Sequence, residues 1–294
     1  MQIQPRLSSE EIADLFQIVE TSRPAYSQLC SFFKALFTLQ QSTLATGRPS
    51  VAPLDPQHNT ARRQAELPLI QRDRLWVDWP ATHGLFTELL ALAPEANAQL
   101  ARSAEAIMER YRSNNLDLET WGPLLLKDDS AAFERRAAES GLAADVLAFF
   151  LYHSLWPSAA RHLEAAAPHL PAAEAWQKGY CPFCGSTPML SVLAQEGHRY
   201  LVCGFCRHTW PAPRLFCPFC ENREPETLGY FYSEAEKEYR VNTCQACKGY
   251  LKAIDLRQLA RPLLLPLEAV ITAHLDMTAQ DQGYRDMTPV WLRL

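Results

Sequence analysis

Eight of the nine cysteines lie between Cys181 and Cys247, each in a Cys-x-x-Cys pair: Cys181/Cys184, Cys203/Cys206, Cys217/Cys220 and Cys244/Cys247. Such a turn aims two sulfurs at one point, and two turns complete a tetrahedron suited to zinc or iron. The ligand is the thiolate, which a bound cation stabilises. In a reducing compartment, cysteines paired at this density indicate metal rather than disulfide.

The gaps between pairs predict which belong together. Eighteen residues (185 to 202) separate the first two pairs and 23 (221 to 243) the last two, but only 10 separate the second from the third. The longer gaps have room for a β-hairpin. Sequential pairing follows: Cys181, Cys184, Cys203 and Cys206 form one site, and Cys217, Cys220, Cys244 and Cys247 the other. Crossed pairings need longer loops and stay open at this point. Cys181-Pro-Phe-Cys184-Gly185 is the knuckle of rubredoxin and ribbon modules, where a glycine at positive φ lets backbone N–H groups reach sulfur. Arg207, Glu221 and Lys248 follow the other second cysteines, so those knuckles fit the pattern less closely.

Closed four-cysteine sites lack the open position that catalytic zinc keeps, which favours a structural, sensing or electron-transfer role over hydrolysis. No nucleotide-binding loop, Ser-His-Asp set or His-x-x-x-His helix is present, and no residue is assigned a catalytic role. Phe183, Phe205 and Phe219 recur inside three knuckles; they either screen the metals from water or form an apolar rim for a partner. His198 and His208 read as surface or supporting groups, because eight cysteines already complete two sites. His153 and His162 read as ordinary helix residues, and Cys30, among Leu29, Phe32 and Phe33, as a small core residue.

These knuckles need a frame, and the sequence predicts an α+β chain: a helical domain over 1–175, two small β modules with four cysteines each over 176–213 and 214–255, and a C-terminal helix and tail over 256–294. Helical spacing runs from a Ser8-Ser9-Glu10-Glu11 cap through Ile12, Leu15, Phe16 and Val19. It continues over about 24–45, 84–113, 130–140, 143–155 and 157–166. Pro53, Pro56, Pro68 and Pro80 predict an irregular excursion over 50–80. Beyond Tyr180, β-like runs over 188–193, 199–202, 227–232 and 239–242 alternate with the knuckles. A last helix over about 267–280 ends before Gly283.

At 294 residues, with 48% hydrophobic and 21% charged residues, the composition is that of a globular protein. The formal charge is −5, and residues 176–253 hold nine Lys and Arg against seven Glu. Thiolates in excess of metal charge turn that region net negative, which disfavours phosphate-backbone binding. The apolar runs Val146–Trp156 and Leu263–Leu275 are short of a membrane span and are interrupted by His153 and Glu268. The first six residues carry no apolar signal core, so a cytoplasmic location is expected.

The array resembles the FdhE family of formate dehydrogenase accessory proteins. The resemblance is carried by Tyr180-Cys-Pro-Phe-Cys-Gly-Ser-Thr-Pro188, by Gly197-His-Arg-Tyr-Leu-Val-Cys203, and by Trp210, Arg214, Cys217 and Cys220. Cys244-Gln-Ala-Cys247, Tyr250-Leu-Lys252, Asp276 and Gly283-Tyr284 follow in order. It implies a helical domain followed by two rubredoxin-like modules, two iron ions rather than the zinc that spacing alone favours, and no enzymatic activity. It also implies a cytoplasmic protein that binds the catalytic subunit of a formate dehydrogenase during maturation. Residues after Cys206, Cys220 and Cys247 depart from the glycine pattern, which predicts unequal affinity at the two sites. The alternative is a zinc-ribbon protein that binds nucleic acid or transcription machinery; a third reading is a one-electron carrier.

Overall fold

The computed structural model describes residues 7–47, 60–62, 64–127, 129–171 and 176–289. The expectations at Pro53, Pro56 and the first six residues lie outside these. Among the described residues, contacts form two units, one drawn from 60–70 and 166–289, the other from 7–47 and 71–165.

The second of these units is helical. Helix α1 (Ser9–Ser22) starts at a capping box, in which Ser8 Oγ accepts from Glu11 N and Glu11 Oε2 accepts from Ser8 N. It buries Ile12, Leu15, Phe16 and Val19, the predicted face. Helix α2 (Ser27–Thr46) buries Cys30, Phe32, Phe33, Leu36, Phe37 and Leu44. The expected run over 84–113 is three helices, α3 (Trp79–Ala91), α4 (Ala93–Ala96) and α5 (Ala98–Arg112). Asn97 ends the second in an extended conformation and caps the third by accepting from Leu100 N. Helix α6 (Leu118–Leu126), capped by Asp117, lies where no helix was expected. Helix α7 (Ser130–Glu139) matches its expected position.

The two helices expected over 143–155 and 157–166 are one, α8 (Ala144–Ala166), which runs through Pro157. A proline inside a helix removes the N–H that would bond the carbonyl four residues earlier. Here that carbonyl belongs to His153, and Gln40 of α2 donates to it from Nε2 at 2.9 Å. Gln40 and His153 are both buried, so an interhelical amide supplies what the proline lacks. Phe149 packs against Phe32 and Phe33 at centroid distances of 6.2 and 6.3 Å, placing α8 on α2.

The other unit is built on one sheet. Its strands are β1 (Pro188–Leu193), β2 (Arg199–Cys203), β3 (Thr209–Ala212), β4 (Leu228–Phe231), β5 (Tyr239–Cys244), β6 (Gly249–Asp255) and β7 (Arg285–Asp286). The order is β3-β2-β1-β6-β5-β4, with β7 also paired to β6. Each cysteine region contributes an antiparallel three-stranded meander. The two join through the parallel pair β1–β6, in register Ser191↔Ala253, Val192↔Ile254 and Leu193↔Asp255. Both joining strands are buried along their whole length, as strands in the middle of a covered sheet are.

The single expected C-terminal helix is two, α9 (Leu265–Ile271) and α10 (Ala273–Asp281), packed on β1 and β6 respectively. The break at Thr272 has a visible cause. Lys252 of β6 donates from Nζ to the carbonyls of Ala269 (2.9 Å) and Thr272 (3.4 Å) and forms an ion pair with Asp276 at 2.5 Å. The Ala269 carbonyl turns to the amine rather than to a continuing helix, while that of Thr272 also accepts from Leu275 N at 3.0 Å as α10 begins. Tyr250 also donates to Asp276, at 2.9 Å. The residues Tyr250, Lys252 and Asp276, singled out in the sequence, therefore pin the C-terminal helices to the sheet.

Candidate metal centres

Both cysteine regions use the same local plan. A Cys-x-x-Cys turn precedes a strand, and the strand paired to it ends in the third cysteine: Pro188 of β1 is opposite Cys203, and Leu228 of β4 opposite Cys244. The fourth cysteine lies in the turn that follows. The turns repeat at atomic detail, since the N–H groups of Cys181, Cys203 and Cys217 donate to the carbonyls of Ser186, His208 and Asn222 at 3.0, 2.8 and 2.9 Å.

After each second cysteine the chain is left-handed: Gly185 at φ 76°, Arg207 at 62°, Glu221 at 57° and Lys248 at 58°. The three knuckles without glycine thus adopt the geometry of the first. Holding a side chain there costs roughly 1–2 kcal/mol per residue. The closure of the knuckle outweighs that strain. Backbone donors converge on sulfur, from Phe205 and Cys206 to Cys203 Sγ (3.3 and 3.4 Å) and from Gly249 to Cys247 Sγ (3.3 Å).

The sulfurs gather in two groups, Cys181/Cys184/Cys203/Cys206 and Cys217/Cys220/Cys244/Cys247, each with its ligand atoms within 4.8 Å of one another. Sequential pairing is the arrangement observed. In the first group the 181–206, 184–203 and 184–206 separations are 3.7, 3.4 and 3.7 Å. In the second, 217–247 and 220–244 are both 3.7 Å. A metal–sulfur bond of ~2.3 Å sets the edges of a regular tetrahedron at about 3.8 Å, whereas a disulfide needs ~2.05 Å. The donor sets fit a tetrahedral thiophilic ion such as zinc or iron, one in each group. His198 and His208 join neither group; His198 is exposed and 3.7 Å from Glu196.

The two clusters differ in exposure. All four cysteines of the first are buried, with Phe183 and Phe205 buried alongside. In the second, Cys217 and Cys244 are buried, Cys247 is half-buried and Cys220 is exposed, and Phe219 is half-buried. Screening from water therefore describes the first cluster, and an open rim the second.

Electrostatics separates the thiols within each cluster. Burial pushes Cys181 and Cys206 well above the usual thiol range. At Cys203 burial acts in the same direction, but donation from the three neighbouring thiols and from Phe205 N–H outweighs it and holds the thiol well below that range. In the second cluster burial pushes Cys217 and Cys247 up. Cys244 is brought down to about 7, since donors including the Cys247 and Ala246 N–H groups and Asn222 overcome its burial. Burial lowers His208 to about 4, so its ring is neutral. The neighbourhood thus favours partial ionisation and needs a cation to hold four thiolates together.

Several supporting residues escaped the sequence reading. The irregular segment docks on the first knuckle: Leu69 and Ile70 donate their N–H groups to the carbonyls of Pro182 and Phe183 at 2.8 and 2.9 Å. Glu66 pairs with Lys178 at 2.7 Å and accepts from Tyr180 Oη through its carbonyl. Asn222 donates to Thr227 Oγ1 at 2.6 Å and to Cys244 Sγ at 3.6 Å. The prolines of the segment announce irregular backbone but not its destination, whereas Asn222 could be suspected from its place two residues after Cys220. Cys30, His153 and His162 all lie in the helical core. His162 accepts from Trp76 N through Nδ1, and burial lowers its pKa.

The model of the FdhE central domain matches residues 180–214, the stretch that carries the first cluster. An FdhE homolog from Aquifex aeolicus is 37% identical over 153 residues, covering 50% of this chain and 52% of that protein. One from Pseudomonas aeruginosa is 30% identical over 268 residues, covering 85% of this chain and 78% of that protein. The chain belongs to the FdhE family. The crystal structure of the FdhE protein from Pseudomonas aeruginosa superposes with a TM-score of 0.69 at 26% identity, over 98% of this chain and 96% of that one. The FdhE likeness therefore extends through the helical residues, where the sequence motifs end. Among the described residues, no helix is long and apolar enough to cross a membrane.

Proposed function

We propose that this FdhE-family chain is an accessory protein for formate dehydrogenase maturation, acting in the cytoplasm by binding the enzyme's catalytic subunit. The observation that carries this reading is the FdhE likeness along nearly the whole chain. On this reading Cys181, Cys184, Cys203 and Cys206 hold one metal ion, and Cys217, Cys220, Cys244 and Cys247 a second. The sulfur groups accept zinc or iron on chemistry alone; the family favours iron. A closed set of four thiolates leaves no position for a substrate, so binding and support of a client fit better than catalysis.

The test is affinity purification from the native host under anaerobic conditions, with mass spectrometry of co-purifying proteins and metal analysis. The expected result is recovery of a formate dehydrogenase catalytic subunit, with about two ions per chain. In a Cys181→Ala/Cys203→Ala variant, the first cluster's ion and the client should both be lost. Recovery of RNA polymerase or ribosomes instead would move the function to a zinc-ribbon type of nucleic-acid or transcription partner.

A further inference from the structure

Arg199 opens β2 in the first cysteine region, yet its side chain serves the second. Its Nη1 donates to the carbonyl of Phe216 at 2.7 Å, with longer contacts to those of Pro213 (3.3 Å) and Arg214 (3.5 Å). Phe216 immediately precedes Cys217. Arg199, Cys217 and Cys244 line one cavity of about 80 Å³, too small for a nucleotide or a peptide side chain with its shell of water.

The guanidinium is buried, and among the described residues no carboxylate pairs with it. Other cations of this unit have one: Arg240 of β5 has Asp255, Lys252 of β6 has Asp276, and Arg261, between β6 and α9, has Glu268. The Arg199 Nε and Nη2 atoms each expose less than 1 Å² and find no hydrogen-bond acceptor among the described residues. A dissolved anion therefore cannot reach them. Burial lowers the Arg199 pKa to about 10, with the Cys217 thiolate acting in the opposite direction, so the group stays charged at neutral pH. A buried cation left without an anion is costly. The missing anion must already lie within the fold.

We infer that Arg199 is the buried counter-charge of the Cys217/Cys220/Cys244/Cys247 centre, supplied across the sheet by the other cysteine region. Four thiolates around a divalent ion carry two negative charges in excess, and Cys217 brings them beside Arg199. Backbone donors reach sulfur in both clusters, from Phe205 and Cys206 at the first and from Gly249 at the second, whereas the Arg199 contacts run to the Phe216–Cys217 side alone. The Arg of the Gly197-His-Arg-Tyr-Leu-Val-Cys203 motif thereby ties loading of the second centre to correct folding of the first hairpin. This inference rests on the proposal that the second cluster holds a metal.

The experiment loads the full chain with Co²⁺, whose thiolate absorption reports each bound ion, and releases it by chelator competition. Cys220→Ser, at an exposed cysteine, assigns the release step of the second centre. Arg199→Gln keeps a donor for the Phe216 carbonyl but removes the charge, and Arg199→Lys keeps the charge. Supporting groups around metal sites are typically worth 10–100-fold in affinity. The expected result is a loss of about tenfold or more at the second centre in Arg199→Gln, with the first unchanged and Arg199→Lys close to the parent. Unchanged affinity in Arg199→Gln, equal loss in Gln and Lys, or loss at both centres would each overturn the inference. Absence of Co²⁺ from the second cluster in the parent chain would instead remove the metal proposal on which it stands.

Discussion

At the scale of single residues, the knuckles show how much backbone strain a metal-type turn tolerates. Gly185, Arg207, Glu221 and Lys248 share one left-handed conformation, and only the glycine holds it without strain. A Cβ on Gly185 would come within 2.9 Å of Pro68 Cγ. Gly185→Ala therefore combines a strained φ with a collision, and should lower stability by about 1–3 kcal/mol, read as a lower melting temperature. Lys248→Gly, at the equivalent turn, relieves strain and should raise stability by up to ~1 kcal/mol. A Gly185→Ala chain as stable as the parent would mean that the turn is not held in this conformation.

The thiols also set a pH dependence. Cys181, Cys206, Cys217 and Cys247 are all raised above the usual range, so without metal they keep their protons at neutral pH. A bound ion needs them ionised, and loading must expel protons. Apparent affinity should therefore rise with pH across the neutral range and fall on acidification. Calorimetric titration in buffers of different ionisation enthalpy counts the protons; a count of zero would contradict the assigned protonation.

At the scale of elements, distant partners override local signals. Gln40 lets α8 continue through Pro157 by bonding the His153 carbonyl from a helix more than a hundred residues earlier. Gln40→Leu keeps the size but leaves that buried carbonyl unsatisfied, and should cost about 1–3 kcal/mol. A chemical denaturation midpoint equal to the parent's would show that the carbonyl finds another donor.

The same distance effect explains what could be read in advance. The cysteine groups were legible because a Cys-x-x-Cys turn and a hairpin-sized gap are local features, and the faces of α1 and α2 because periodicity is local too. The unbroken α8 was not, since its rescue lies on another helix. Nor was the break at Thr272, which depends on the Lys252 amine from β6. Strands β3 and β6 went unread because each emerges directly from a knuckle, with Pro211 disguising the first. Arg199 was visible as a motif residue, but its reach to the Phe216 carbonyl belongs to the tertiary fold.

At the scale of the molecule, the two units are interleaved along the chain. The cysteine unit takes described residues from 60–70 as well as from 166–289, and Leu69 and Ile70 bond directly to the first knuckle. A fragment spanning 176–294 keeps all eight cysteines of the clusters but lacks those two hydrogen bonds and the Glu66–Lys178 pair. Its first centre should release metal at lower chelator concentration than that of the full chain, by roughly tenfold for about 1.4 kcal/mol of lost support. Identical release curves would mean that the earlier segment contributes nothing to the site.

The parallel pairing of β1 with β6 also imposes an order of events during synthesis. The β1–β2–β3 meander leaves the ribosome first, and its knuckles can close as soon as residue 206 is available. The flank of β1 meant for β6 then stands as a bare strand edge until residues 249–255 have been made. Exposed edges recruit other chains, and pairings this far apart in sequence form late. The nascent protein is thus most prone to self-association in the interval between its two cysteine regions. Slowing translation there should increase aggregation more than slowing it after residue 286, when β7 has also been made.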